Sequence, residues 1–367
     1  MKTSIVLGLQ YGDEGKGLTT SFLSKKNDLV VRFNGGHQAG HTVVKDGYRH
    51  VFSNFGSGTL NGAHTYLSQY CTFYPKSFYN ERQALLNVGF DPVHYIHPMA
   101  MVTTPFDIGF NRATESANRH GSVGVGFGAT IARNETPFKL YAIDLTYRPL
   151  LIHKLQQIAG HYKIGDPGKE ISSFVEYVDK IILNICTLDK IKDGYSHIIF
   201  EGAQGIMLDM DFGYFPNVTR SHTTSKNAMQ IIQDCNLPHP QVYYAMRSYL
   251  TRHGNGFMPN ESGGVSFEDK TNVSHAYQGE FRQGYHSIEQ LRYALNCDAA
   301  YSGYDHRCKN LIISCLDQTK GMVLADLDEL EIDEFLATLG HEFNGVFGNR
   351  SPEGRITKLD ERIQIQY

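Results

Sequence analysis

A series of short apolar runs, each closed by glycine or a polar loop, constrains this chain more than any other feature. Residues 4–8 (SIVLG), 28–36 (DLVVRFNGG), 196–202 (SHIIFEG), 242–249 (VYYAMRSY) and 310–316 (NLIISCL) have the length and apolar content of buried strands. Further strands are expected at 41–44 (HTVV) and 94–102 (HYIHPMAMV). Helical periodicity covers 76–88, 172–185, 228–234, 287–295 and 332–339, and 17–26 (GLTTSFLSKK) suits a short helix. Strands alternating with helices predict an α/β fold, a central and mostly parallel sheet flanked by helices. No repeat or linker divides the chain, and GDPGKE at 165–170 has the character of a surface turn. One large domain spanning 1–367, with insertions, is the expectation.

Composition narrows the function classes. A net charge of −4 argues against a nucleic-acid footprint or a basic membrane patch, while leaving room for a small basic pocket. The six cysteines lie far apart and form no CxxC pair, so zinc and thioredoxin-like sites are not expected; reduced thiols are. The first strand starts within four residues of Met1, which leaves no space for a signal peptide, and no apolar stretch approaches the roughly 18 residues of a spanning helix. A soluble protein of the cytoplasm is expected.

The chemistry concentrates in two loops. The first, Gly8 to Thr20 (GLQYGDEGKGLTT), carries four glycines, Lys16 and two adjacent carboxylates, Asp13 and Glu14. It is not a Walker loop, because Gln10 stands where the first glycine belongs and Gly17 where Ser or Thr belongs. The dinucleotide fingerprint fails as well. The glycines still allow close backbone approach, and the helix that follows offers free N–H groups to an anion. Lys16 supplies a point charge for a terminal phosphate. An acid beside it makes sense if it holds Mg²⁺ or takes a proton from the substrate. The second loop, Asn34 to Val43 (NGGHQAGHTV), places His41 after a strand, where sheets of this class bind ligands.

These stretches resemble the adenylosuccinate synthetases. The family's GxQWGDEGKGK is matched by Gly8 to Leu18, and its GGHNAGHT by Gly35 to Thr42. A third motif, EGAQGxxLDxDxGxYPxVT, is matched by Glu201 to Thr219 (EGAQGIMLDMDFGYFPNVT). Weaker matches are GSVGVGFGA at 121–129 and SYLTRHGNGFMP at 248–259. The resemblance covers most of the chain.

It implies a ligase that joins L-aspartate to C6 of IMP at the expense of GTP, with Mg²⁺. On this resemblance Asp13 removes the N1 proton of the purine and helps hold Mg²⁺, with the Gly40 carbonyl as a second ligand. His41 is the acid at the transferring phosphoryl group. Gly12, Glu14, Gly15, Lys16, Gly17, Gly40 and Thr42 belong to the triphosphate site, and Gln204 contacts O6. The monophosphate site draws on Asp13, Lys16, Gln38, Ala39, His41, Ser122, Val123, Arg133, Gln204 and Thr219. Ser122 and Thr219 face the 5′-phosphate, and Arg133 reaches a neighbouring subunit's phosphate in a homodimer. Arg282, in GEFRQGY, replaces an arginine-rich run that binds the aspartate carboxylates; an exposed arginine without a ligand is the alternative there.

The departures are informative. The family's guanine-reading TKLD finds its expected counterpart in SGYD, Ser302 to Asp305, with Asp305 accepting from guanine. Gln38 replaces asparagine, Val123 threonine and His253 valine. A related phage branch, the 2-aminoadenylosuccinate synthases, uses dGMP and favours an adenine nucleotide. YIHPMA at 95–100 and the compact length lean toward that branch. Asp13 leans toward IMP, because a serine there makes room for a 2-amino group. A non-catalytic nucleotide-binding protein and a P-loop NTPase are the readings from other classes.

Overall fold

A computed structural model describes residues 1–118, 123–261, 264–269, 272, 279–350 and 354–359; of 116–118 it describes the backbone alone. The centre is a nine-stranded sheet. From one edge to the other its strands are Thr357–Lys358, Gly345–Gly348, Lys309–Ser314, Gln241–Arg247, Lys2–Gly8, His197–Glu201, Leu29–Arg32, His64–Leu67 and His94–Ile96. All neighbours run parallel except the Thr357–Lys358 edge. Strands covered on both faces read as unbroken apolar runs, which is why Ile5, Val6 and Leu7 are all fully buried. One hydrophobic cluster joins these strands to the helices Lys226–Asp234, Ile288–Ser302 and Ile332–Leu339; a second gathers Phe52, Phe55, Phe78, Leu155 and Phe174 around the helices Pro75–Asn87, Arg148–His161 and Gly168–Asp179.

The parallel arrangement decides where a site can be. The segments that follow Gly8, Arg32, Glu201, Arg247 and Ser314 all leave the same edge of the sheet. Several elements differ from the sequence reading. His41–Lys45 pairs with Tyr48–Phe52 as a separate hairpin, so HTVV is a strand outside the main sheet. The helix expected at 172–185 is Gly168–Asp179, opening beside Pro167, whose fixed φ suits a helix start. Helices Pro105–Asn118, Phe127–Asn134 and Arg148–His161 and strand His64–Leu67 add to the expected set. No helix among the described residues is long and apolar enough to cross a membrane.

Candidate active site

The first loop is braced from within. Glu14, 3 % exposed, accepts hydrogen bonds from the backbone N–H of Gln10 (2.6 Å) and Gly12 (3.2 Å) and pairs with the Lys16 ammonium at 3.0 Å. Of the two adjacent acids Glu14 is thus the structural one: it shapes the loop and fixes Lys16. The loop turns through positive φ at Gly12, Asp13 and Gly15. Gly15 caps the helix Lys16–Leu23 in the left-handed conformation, with no side-chain cap on the helix amides. Asp13 is half-buried, and its carboxylate accepts no hydrogen bond from any described residue. Its carbonyl oxygen accepts one from Arg247 Nε at 2.6 Å.

Three loops meet here. A Cβ on Gly17 would stand 2.8 Å from the Cβ of His41, so only glycine lets the first helix approach the second loop this closely. A Cβ on Gly12 would lie 3.5 Å from the Cα of Gln204 in the third loop. Asn34 ties the second loop to the third, accepting from Ala203 N–H at 2.7 Å and donating to the carbonyls of Ala203 and His222.

His41 is buried and donates from Nδ1 to Glu201 Oε1 at 2.7 Å. Glu201, fully buried at the end of its strand, also accepts from the backbone N–H of Ser57 (3.1 Å) and from its hydroxyl, and lies 3.9 Å from Arg32 Nε. Burial pushes the imidazole below its ordinary value, while the neighbouring carboxylate pulls it back up and Arg32 and Lys16 push it down again. Burial also works against the Glu201 charge, yet His41, Arg32 and Ser57 together hold that carboxyl at about 2. Glu201 heads the third motif without an expected role of its own; the signal for it in the sequence is an acid that closes a buried apolar strand beside glycine.

The same three loops carry polar atoms without partners. The Gln204 Oε1, both amide atoms of Gln38 and both of Gln10 are buried and make no hydrogen bond to any described residue. Buried amides are rarely left so, and their clustering on these loops is what a site lined for a polar ligand looks like. Gln204 sits at φ 64°, which aims its side chain away from the usual course of a strand-to-loop turn. Ala39 and Thr219 are buried, Thr42 and Val123 half-buried and Gly40 exposed. Ser122 falls outside the described residues.

The structure gives two of the expected site residues other partners. Arg133 is wholly buried and every one of its N–H groups is spent: on both Asp107 oxygens (2.8 and 3.1 Å), on Asn134 Oδ1 and on the carbonyls of Phe138 and Val102. Within this chain it is a core ion pair with no donor left over for a phosphate. Removing one partner of such a pair strands the other charge. Arg133→Met is therefore expected to cost about 3–5 kcal/mol of stability in denaturant titration, with unchanged KM values in the fraction that folds. Asp305, likewise, is at the wrong edge of the sheet. It caps the turn His306–Cys308 ahead of the strand Lys309–Ser314 and is forked to the exposed Arg307 (2.9 and 3.0 Å). The segment that does leave the site edge at the end of that strand reads Ser314-Cys315-Leu316-Asp317, with Ser314 the last strand residue, and keeps the Leu-Asp pair of TKLD. Ser314 Oγ donates to the Glu14 carbonyl at 3.2 Å, which places this loop against the first one.

Arg282 donates to the carbonyls of Gly254 (3.1 Å) and Gly256 (2.8 Å) and pairs with Glu261 at 2.7 Å. It braces the turn after Leu250–His253, and a dicarboxylate would have to displace Glu261 to engage it.

The chain matches the family model for adenylosuccinate synthetase over residues 5–343. An adenylosuccinate synthetase of Acaryochloris marina is 30% identical over 367 residues, covering 93% of this chain and 79% of that protein. The fold matches a fully ligated adenylosuccinate synthetase from Plasmodium falciparum with a TM-score of 0.78 at 19% identity, over 98% of this chain and 100% of the other. It also matches the succinoaminodeoxyadenylate synthetase of cyanophage S-2L, bound to dGMP and dATP, with a TM-score of 0.67 at 18% identity, over 97% and 95% of the two chains. The arrangement of the three loops and the breadth of these matches lead to one assignment: the chain belongs to the adenylosuccinate synthetase family, ligases that form a C–N bond.

Proposed function

We propose that the protein joins the amino group of L-aspartate to C6 of IMP, driven by GTP, through a 6-phosphoryl intermediate. The observation that carries this reading is the Asp13 carboxylate, to which no described residue donates a hydrogen bond, on the loop that the His41–Glu201 pair packs against. A 6-oxo group is a poor leaving group and must first be phosphorylated. Asp13 takes the N1 proton, the released electron pair moves onto O6, and O6 attacks the γ-phosphorus as the bond to the nucleoside diphosphate breaks. His41 faces the charge that develops on the migrating phosphoryl group, and Gln204 holds the purine at O6. The aspartate amine then adds to C6 and phosphate departs.

The residues fit a hard divalent cation. Asp13 presents free carboxylate oxygens and Gly40 an exposed backbone, while Glu14 is already consumed by amides and Lys16. Mg²⁺ held by Asp13 and the Gly40 carbonyl would neutralise phosphate charge. Guanine recognition belongs to Asp317 in place of Asp305: its carboxylate can accept from guanine N1–H and the 2-amino group, whereas adenine offers no donor at either position. A homodimer in the cytoplasm is part of the same reading.

The test is a matrix of IMP, dIMP, GMP and dGMP against GTP and ATP, following phosphate release with and without aspartate. The IMP–GTP cell is expected to be fastest and to require aspartate. A maximum at dGMP–ATP, the ligand pair of the cyanophage relative, would replace the acceptor and the donor. Asp317→Asn is expected to raise the KM for GTP about 10- to 100-fold, the worth of a hydrogen bond to a charged group. Asp305→Asn is expected to leave it unchanged.

A further inference from the structure

We infer that Arg247 is the positioning residue of the catalytic base, gripping the Asp13 peptide and anchored in turn by Asp269. The inference rests on the reading of Asp13 as base.

Arg247 ends the strand Gln241–Arg247, beside the strand that closes at Ser314, and is 6 % exposed. Its Nε donates to the Asp13 carbonyl at 2.6 Å. Its Nη1 donates to the Tyr249 hydroxyl (2.9 Å) and to Asp269 Oδ2 (2.8 Å). The rings of Tyr249 and Phe281 lie 5.6 and 5.5 Å from the guanidinium carbon. Asp269 is itself oriented, accepting from Asn272 N–H at 2.8 Å. Tyr249 donates onward to Gln318, which donates to the Glu268 carbonyl (2.7 Å). One guanidinium thus joins the base loop to the segment at 268–269 and, through Tyr249, to the loop carrying Asp317.

The grip matters because of the backbone it holds. Asp13 sits at φ 59°, a left-handed conformation that costs an L-residue energy and relaxes unless its surroundings enforce it. Glu14 enforces the loop from one side through the amides of Gln10 and Gly12; Arg247 is the group that seizes the Asp13 peptide itself. The aim of a base matters steeply, since a misplacement of about 1 Å can cost about 10²-fold in rate. Arginine suits the task because its planar fork serves the carbonyl and the carboxylate at once.

The experiment compares Arg247→Met, Arg247→Lys, Asp269→Asn and Asp13→Ala in the full-length protein. Arg247→Met is expected to lower kcat about 10- to 100-fold while both nucleotide KM values stay within about threefold. Scrambling of a heavy-oxygen label between the β,γ-bridge and the non-bridging positions of the triphosphate, run with IMP and no aspartate, should slow in the same proportion. That readout isolates phosphoryl transfer, which a general loosening of the fold would not single out. Arg247→Lys, which can still donate to the carbonyl, should recover most of the loss. Asp269→Asn should lower kcat about threefold to tenfold, and it carries the test if Arg247→Met does not fold. Unchanged kcat in Arg247→Met or Asp269→Asn, or a loss confined to KM, would overturn the inference. Full activity in Asp13→Ala would instead overturn the reading of the base on which it rests.

Discussion

Asp13→Asn is expected to reduce kcat/KM by about 10²–10⁴-fold, the usual contribution of a positioned general base, while the melting temperature stays where it was. The two halves of this expectation have separate grounds. The rate falls because an amide cannot accept the purine N1 proton, so charge never reaches O6. The fold survives because no described residue donates to the Asp13 carboxylate; the loop is held through its carbonyl and through Glu14. Glu14→Gln should behave in the opposite sense. It keeps an acceptor for the loop amides but strands the buried Lys16 ammonium, so it loses stability first and activity as a consequence. A pair of adjacent acids with the same charge and such different roles is separated by measuring kcat and thermal unfolding on both variants. Equal effects on both would contradict the division of labour.

That division was invisible in GLQYGDEGKGL. The glycines, the lysine and the two acids announce an anion site, but which acid turns inward depends on the backbone conformation at Gly12, Asp13 and Gly15. What a sequence does carry is contiguous information. The five apolar runs are the central strands because buried parallel strands must be apolar on both faces. The three loop motifs are legible for the same reason: each lies within a few residues of a strand end.

Long-range pairings were not legible. An arginine in a helix looks alike whether it faces solvent or Asp107, 26 residues away, and only the folded chain shows Arg133 spending all its donors in the core. The misplacement of the guanine reader has a sharper lesson. SGYD resembles TKLD by its final acid, yet it precedes its strand, and a parallel sheet sends the segments before and after a strand to opposite edges. SCLD begins on the last residue of the run NLIIS, so topology alone would have chosen Asp317. The helix Arg148–His161 was available too: Leu151, Leu155 and Ile158 are buried at helical spacing behind Pro149 in the first turn.

His41→Asn is expected to cost about 10²–10⁴-fold in kcat, and Glu201→Gln to cost about 10²-fold and to move the pH profile. His41 gives its Nδ1 proton to Glu201, so it can meet an anionic phosphoryl group as a donor only when Nε2 is protonated as well. Burial opposes that imidazolium, and the Glu201 charge is what favours it. The active form is then the protonated one, and the rate falls as pH rises through the imidazole's value. Replacing Glu201 by glutamine removes the favouring charge and lowers that value further, so the alkaline limb must shift toward lower pH. Stability moves with a different sign. The Glu201 carboxyl is depressed from its ordinary 4.5 to about 2 in the folded chain. Its contribution is complete above the ordinary value and is lost as pH falls toward 2. Wild-type protein should therefore lose stability across that acidic window, and Glu201→Gln should show a flatter dependence there. An alkaline limb that stays in place in Glu201→Gln would remove His41 as the proton donor, whatever the variant did to kcat.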